Sequence, residues 1–479
     1  MCVLLFAGCT TTWDGPETND QVTGNGSLAV QKGNYLYFVN GYTAISDMED
    51  GSNKGNINYS GLYRVKLGDN NSLSYDEDGN LENCKKIVSK VVGYDRTSLY
   101  IFGDYLYYST PYSDKVISDD EDDKETTNNF DLTEFYSVKL DGSSIKKIYT
   151  TSTTSDSTQF AFYQPAGSND VSLAVYDGSK LVIINCSSRS ETVVAEDVQS
   201  VAMPIVSSYN KSNNQVSVQE SAVYYTRSGS DEENLSSGNV FAYTKIGENT
   251  ENIITKGENT YTVKSANRNA VVYTKKSSTD ENTCNFYLTF DQNGKPQDVE
   301  TSNSQQLDYS GHDTVFLCDF EEGNSTGIIY ANSNNNLVLL NYNKTSGDTT
   351  FVLNDDLSLT PLCLSGNYVY AYDGNNSLYR INYKSAQVLA NKADATEIIY
   401  DATKLVSEDE EDSETQKEIY FSAMTNFSIN GDYVYFYVPY EGDSETGYYL
   451  NRVSLISADK TAQLVGVVQS NHIATETEE

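Results

Sequence analysis

Four times along this chain a Gly-Asn or Gly-Asp pair is followed at once by a short run of alternating aromatic residues. The runs are GNYLYF (33–38), GDYLYYSTPY (103–112), GNYVYAY (366–372) and GDYVYFYVPY (431–440). Each leads to a second run that alternates apolar with basic or polar residues: GLYRVKL (61–67), FYSVKLDGSSIKKIYT (135–150), SLYRINY (377–383) and YYLNRVSL (448–455). Period-two alternation bounded by turn residues is the pattern of half-buried strands in antiparallel hairpins. No long stretch repeats apolar residues at helical spacing, so almost no helix is expected.

Weaker copies fill the middle of the chain, at DGSKLVIINC (177–186), SAVYYTR (221–227), NAVVYTKK (269–276) and TGIIYAN (326–332). Each copy reads as about four strands, and about eight such groups fit between residues 27 and 468. A four-stranded unit cannot bury both apolar faces alone and must stack on its neighbours. Radial closure does this while leaving only short edges. The expected fold is therefore all-β, a single β-propeller of about eight four-stranded blades, with seven as the alternative. Residues 1–8 read as a leader remnant, 9–26 as a polar tether, 27–468 as the propeller and 469–479 as an acidic tail.

Composition agrees with strands rather than disorder. The 479 residues include 39 Tyr, one Trp and 7 Pro. Tyr suits a strand whose ring packs inward while its hydroxyl reaches a polar partner. The 68 acidic residues against 32 basic ones give a formal charge of −36, which repels phosphate backbones and argues against nucleic acid as a partner. Acidic insertions at 47–59, 118–129 and 407–418 interrupt the repeats and are expected in exposed loops, where they favour a basic partner.

Candidate chemistry is sparse. Seven Cys form no CxxC pair and no zinc-type spacing, and Cys186, Cys284, Cys318 and Cys363 sit in apolar runs as small hydrophobes. His312 and His472 limit imidazole chemistry, no GxSxG elbow occurs, and Trp13 lies outside the repeats. The segment YDEDGNLE offers Asp76, Asp78, Asn80 and Glu82 as alternating oxygen ligands for Ca2+. Gly79 falls at the fourth place of that loop instead of the sixth, and a hairpin turn at Asp78-Gly79 explains the segment equally well. No catalytic set is assigned.

The repeat resembles the low-density-lipoprotein-receptor-like (YWTD-type) propeller repeat, and among its versions those of unassigned function in surface lipoproteins of Gram-positive bacteria. The residues that carry the resemblance are Tyr105, Tyr107 and Tyr108 with Tyr136, Lys139, Asp141 and Gly142, and Tyr368 and Tyr370 with Leu378, Tyr379 and Arg380. The strict tetrapeptide is absent, with YYST (107–110) and VYYT (223–226) as its nearest relatives. At the amino terminus MCVLLFAG followed by Cys9 resembles the end of a bacterial lipoprotein signal peptide, in which the Cys thiol carries diacylglycerol. No basic residues precede the run, and a longer leader upstream of Met1 would supply them.

Together these resemblances imply a monomeric propeller at a bacterial cell surface, attached to the membrane through lipid on Cys9 alone. The function expected is non-enzymatic binding or scaffolding of an extracellular protein, peptide or glycan, with Tyr side chains as rim contacts. The alternative is a polysaccharide hydrolase or lyase using carboxylates at the channel mouth. No cofactor is expected apart from the Ca2+ considered above.

Overall fold

In the computed structural model the repeats form eight main sheets, seven of four strands and one of five. The structure describes residues 14–467 apart from 42–60, 117–126, 152–157, 230–238, 290–304, 308–315, 402–426 and shorter breaks. Sheet 1 comprises Val22–Thr23, Ala29–Lys32, Tyr35–Val39, Leu62–Lys66 and Lys85–Val88. Sheet 2 comprises Tyr100–Phe102, Tyr105–Pro111, Thr133–Lys139 and Lys146–Thr150. Sheets 3, 4 and 5 begin with Gln159–Tyr163, Val198–Ala202 and Thr260–Ala266. Sheets 6, 7 and 8 begin with Phe316–Asp319, Thr360–Ser365 and Ser428–Asn430.

Sequence order equals spatial order in the four-stranded sheets, so each is an antiparallel meander. First strands of neighbouring sheets lie side by side around the axis. The Gly-Asn and Gly-Asp pairs are the two-residue turns between first and second strands, as the registers Lys32↔Tyr35, Phe102↔Tyr105, Ser365↔Tyr368 and Asn430↔Tyr433 require. Gly33, Gly103, Gly366 and Gly431 all take a left-handed φ between 54° and 59°. A glycine with positive φ in the first place of a two-residue hairpin is the type II′ arrangement, whose twist matches that of its strands.

Apolar clusters fill the gaps between successive sheets, and the series returns to its start. Leu36 and Phe38 of sheet 1 pack with Tyr435, Tyr437 and Leu450 of sheet 8, while Tyr37 and Leu62 pack with Leu106 and Tyr108 of sheet 2. Among the described residues no strand is exchanged between the first and last sheets. Side chains join them instead. Asn40 donates its amide to the Val467 carbonyl at 2.9 Å and accepts the Val467 N–H at 3.0 Å. Asn430 donates to the Ala29 carbonyl at 3.1 Å.

Three observations refine the sequence expectations. Residues 14–26, read as tether, are docked on the ring, with Val22–Thr23 pairing Gln31 and Lys32 as a fifth strand. Asn25 brackets Ile101 of sheet 2, donating to its carbonyl at 3.1 Å and accepting its N–H at 2.8 Å. One short α-helix, Tyr383–Val388, sits between the last two strands of sheet 7, capped by the Asn382 side chain. The core tyrosines also differ from expectation: among the described residues every Tyr is buried or half-buried. Many of their rings pack into the gaps between sheets, and Tyr176 also lines a cavity described below.

The strands flanking the acidic stretches 47–59, 118–129 and 407–418 all end on one face of the ring, because each stretch joins a second to a third strand or one sheet to the next. Within 118–129 only Thr127–Asn129 is described, paired with Asp114–Val116.

Candidate binding site in the channel wall

Arginines organise sheets 7, 8 and 1 in one repeated way, with Arg64 and Arg452 buried and Arg380 half-buried. Arg380, Arg452 and Arg64 lie opposite Tyr370, Tyr435 and Tyr37 on the neighbouring strand. Each guanidinium sits over the tyrosine two residues earlier, 4.7 Å from the Tyr368 ring centre, 4.0 Å from Tyr433 and 5.4 Å from Tyr35. Each then donates forward along the ring: Arg380 to the Leu455 carbonyl of sheet 8, Arg452 to the Asn71 carbonyl of sheet 1, and Arg64 to the Asp14 carbonyl of the docked amino-terminal segment. A planar guanidinium suits this role because it stacks and donates in its plane at once. The sequence shows these arginines in its LYR and LNR runs, but not their reach into the next sheet. They brace the ring and line neither of the two cavities described below.

On another part of the ring the inner strands are built differently. Between first and second strands the ladder of sheet 4 skips from Val198 to Ser200, and that of sheet 5 from Val263 to Ser265. Gln199 and Lys264 are the extra residues at these two bulges. A bulge bends its strand and re-aims the unpaired side chain. Both residues line one cavity of about 430 Å³, together with Gln159 and Tyr176 of sheet 3. An adjoining cavity of about 330 Å³ shares Gln159 and Met203 and runs on to Phe160, Thr158 and Arg96. Bulges between third and fourth strands recur in sheets 1, 2, 3, 4, 6 and 7, so those belong to the fold. A first-strand bulge occurs also in sheet 7, where the extra residue is Leu362 and packs into the core. Only in sheets 4 and 5, among the described pairings, does the bulge present a polar side chain to a cavity.

The wall is polar and partly fixed. Ser200 Oγ lies 2.7 Å from Thr226 Oγ1 and accepts the Val263 N–H at 2.9 Å, tying sheet 4 to sheet 5. Thr97 Oγ1 accepts the Tyr94 N–H at 2.7 Å and holds the turn that carries Arg96. The Tyr176 hydroxyl points at the Val198 carbonyl, and burial raises its pKa. Thr158 is fully buried, and its hydroxyl has no hydrogen-bond partner. A buried hydroxyl left unmatched costs about 1–3 kcal/mol, so a polar ligand group that reaches it gains accordingly. Among the described residues, no Asp, Glu, His or Cys lines either cavity.

The residues singled out in the sequence do not come together here. Cys9, Trp13, His312 and His472 lie outside the described residues, as do Asp119–Asp123 and 408–412 of the acidic insertions. In the Ca2+ candidate, Asp76 accepts the Asn80 N–H at 2.8 Å and the Tyr75↔Leu81 bridge closes a narrow hairpin. Glu82 donates its backbone N–H to Ser74, and Asp78 lies outside the described residues. Among the described residues no group of three or more His, Cys, Asp or Glu is assembled for a metal. Cys84, Cys186 and Cys363 are unbridged, and burial pushes each thiol to about 12, as small hydrophobes in a core behave. No helix among the described residues is long and apolar enough to cross a membrane. Gln199 and Lys264 were not candidates in the sequence, since a bulge needs the partner strand to become visible.

No family model matches the chain, and no curated protein matches it. Among solved structures it is similar to AztD from Citrobacter koseri in the apo form, at 9% identity and a TM-score of 0.36, over 85% of this chain and 92% of that one. It is similar to the N-terminal domain of Nup159 at 10% identity and a TM-score of 0.34, over 77% of this chain and 92% of that one. A structure described under two prolyl endopeptidases matches at 10% identity and a TM-score of 0.38, covering 91% of this chain and 55% of that one. The chain thus spans about half the length of that peptidase. Likenesses this distant carry no assignment of activity.

Proposed function

We propose that this protein is a non-enzymatic binding module, held at a bacterial cell surface through lipid on Cys9, with its ligand site in the channel wall of sheets 2–5. The observation that carries this reading is the cavity wall itself. It offers amides, hydroxyls, two cations and apolar surface, the inventory of a recognition site. Among the described residues of its lining there are no paired carboxylates, as glycoside hydrolysis requires, and no nucleophile–base pair, as acyl transfer requires. Ser200, a nucleophile type on the wall, is bonded to Thr226 and to a backbone N–H, with no base beside it.

The test is a glycan and peptide array probed with the full chain and with a Gln199→Ala/Lys264→Gln variant. Binding that the variant loses supports the module and its site. Absence of binding on both arrays, with a folded protein, overturns the reading. Turnover of a polysaccharide by the purified chain would replace it with the hydrolase alternative. The anchor is tested separately: lipid labelling in cells should disappear in Cys9→Ala.

A further inference from the structure

We infer that the ring rests on the bilayer with the face that carries its glycine turns, which keeps the acidic insertions on the side away from the membrane. The inference depends on the Cys9 lipid proposed above and adds which surface that lipid holds down. The first described residue marks where the chain leaves the ring. Asp14 accepts the Tyr35 hydroxyl at 2.7 Å and, through its carbonyl, a bond from Arg64. Tyr35 opens the second strand of sheet 1 directly after the Gly33-Asn34 turn. The Thr18 hydroxyl donates to Asp104 in the Gly103-Asp104 turn of sheet 2 at 3.2 Å, and the Gly33 N–H donates to the Gln21 carbonyl at 3.0 Å. Residues 14–21 therefore run over the turns of sheets 1 and 2, and Val22–Thr23 then leads into the ring, antiparallel to Ala29–Lys32.

Four residues, 10–13, separate Cys9 from Asp14, so the chain between them reaches at most about 18 Å. The second strands of sheets 1 and 2, Tyr35–Val39 and Tyr105–Pro111, cross from the turn face to the other over about 17–23 Å. Reaching the far face would exhaust the tether, so the lipid holds the turn face down. Exposed apolar side chains agree. Val193, Ile253 and Ile398 lie within fourth strands, on the outside of the ring. Ile145 and Ile456, 49% and 76% exposed, stand instead in the third-to-fourth turns of sheets 2 and 8, on the turn face and on either side of sheet 1. There they flank the exit of the tether and add apolar contacts to the lipid. Acids stand on this face too, among them Asp69, Asp104 and Asp141, so the contact rests on lipid and apolar side chains and not on charge. The runs of consecutive acids at 119–123 and 408–412 belong to insertions whose flanking strands end on the opposite face, away from anionic headgroups.

Hydrogen exchange on the lipid-bearing chain, isolated from the labelled cells of the anchor test, decides the matter. The chain is compared free in detergent and on vesicles of phosphatidylcholine and phosphatidylglycerol. On vesicles the amides of the turns at 141–145 and 455–458 should exchange about fivefold more slowly, while those at 89–90 and 178–180 on the opposite face keep their rates. Ile145→Ser and Ile456→Ser should each halve that protection with thermal melts unchanged, since both side chains are exposed. Protection of 89–90 and 178–180 instead, of both faces alike, or of neither overturns the orientation, even where the chain floats with the vesicles and the anchor stands. Protection that both serine variants retain in full overturns the apolar contact. A chain that carries no lipid and does not float with the vesicles overturns the anchor, and the orientation with it.

Discussion

Sheets 7, 8 and 1 and sheets 3, 4 and 5 are built from the same four-stranded unit, yet they place their cations oppositely. In the first arc Arg64 and Arg452 are buried between sheets and Arg380 is half-buried: Arg452 is 1% exposed, stacked on Tyr433 and bonded to Gln463 and Asn71. In the second, Lys264 stands on a bulge at the cavity wall, and Arg227 of sheet 4 pairs with Glu251 at a partly exposed position. A buried guanidinium is tolerated where its donors meet acceptors in its plane, and removing it leaves those acceptors stranded. A cation on a bulge beside a cavity is not enclosed in this way. The difference is one of burial, and it predicts unequal stability costs for removing the two kinds of cation.

The largest expected effect tests whether the two arcs melt together. Both are cored by tyrosine: burial pushes Tyr435 of the first arc and Tyr163 of the second to about 12, and raises Tyr37 and Tyr437 of the first and Tyr224 and Tyr225 of the second as well. These groups keep their protons in the folded state beyond the unfolded value of about 10, so their contribution is complete below pH 10 and is lost as pH rises through about 12. Burial lowers the pKa of Lys32, which favours folding as pH rises, but this one group opposes many tyrosines. Tyrosinate absorbance and circular dichroism should therefore change in one cooperative alkaline step. Two separated steps would break the comparison, since the arcs would then be independent.

Next is Arg452→Ala, expected to cost about 3 kcal/mol in urea unfolding through the stranded acceptors and the lost packing. Arg227→Ala, which removes a partly exposed pair with Glu251 in sheet 4, should cost about 1 kcal/mol. Equal losses would show that burial of the cation is not what distinguishes the arcs. The two asparagine brackets follow. Asn25→Ala and Asn40→Ala each delete a donor and an acceptor bond to the neighbouring sheet, and each should lower stability by about 2 kcal/mol. Gly431→Ala should cost about 1 kcal/mol by backbone strain alone, because the added Cβ meets nothing within 4 Å. Smallest of all, Gln199→Ala should shift the urea midpoint by no more than about 0.5 kcal/mol while changing ligand binding.

Much of the fold was legible in the residues. The turn glycines marked the hairpins because a two-residue loop with positive φ admits little else, and all four adopt that conformation. Alternation of aromatic residues gave the buried faces. It did not tell a rim tyrosine from a core one, since the same period serves both. The docking of residues 14–26 was hidden because a polar segment reads as tether until Ile101 and Arg64 are seen beside it. The candidate site was illegible for a related reason: Gln199 and Lys264 stand in ordinary strand runs, and their exposure follows from a one-residue mismatch with partner strands at Arg227 and Tyr273.

The sequence by itself determined the unit: its strands, its tight turns, its tyrosine content and its need for neighbours, all set by local backbone preference and period-two burial. Only the tertiary structure decided how the ring closes and where its cations go. Closure depends on contacts more than 400 residues apart in sequence, such as Asn40 with Val467 and Asn430 with Ala29, which no local pattern encodes. Register between strands, and not the identity of the residue, sends one cation into the seam and another to the wall.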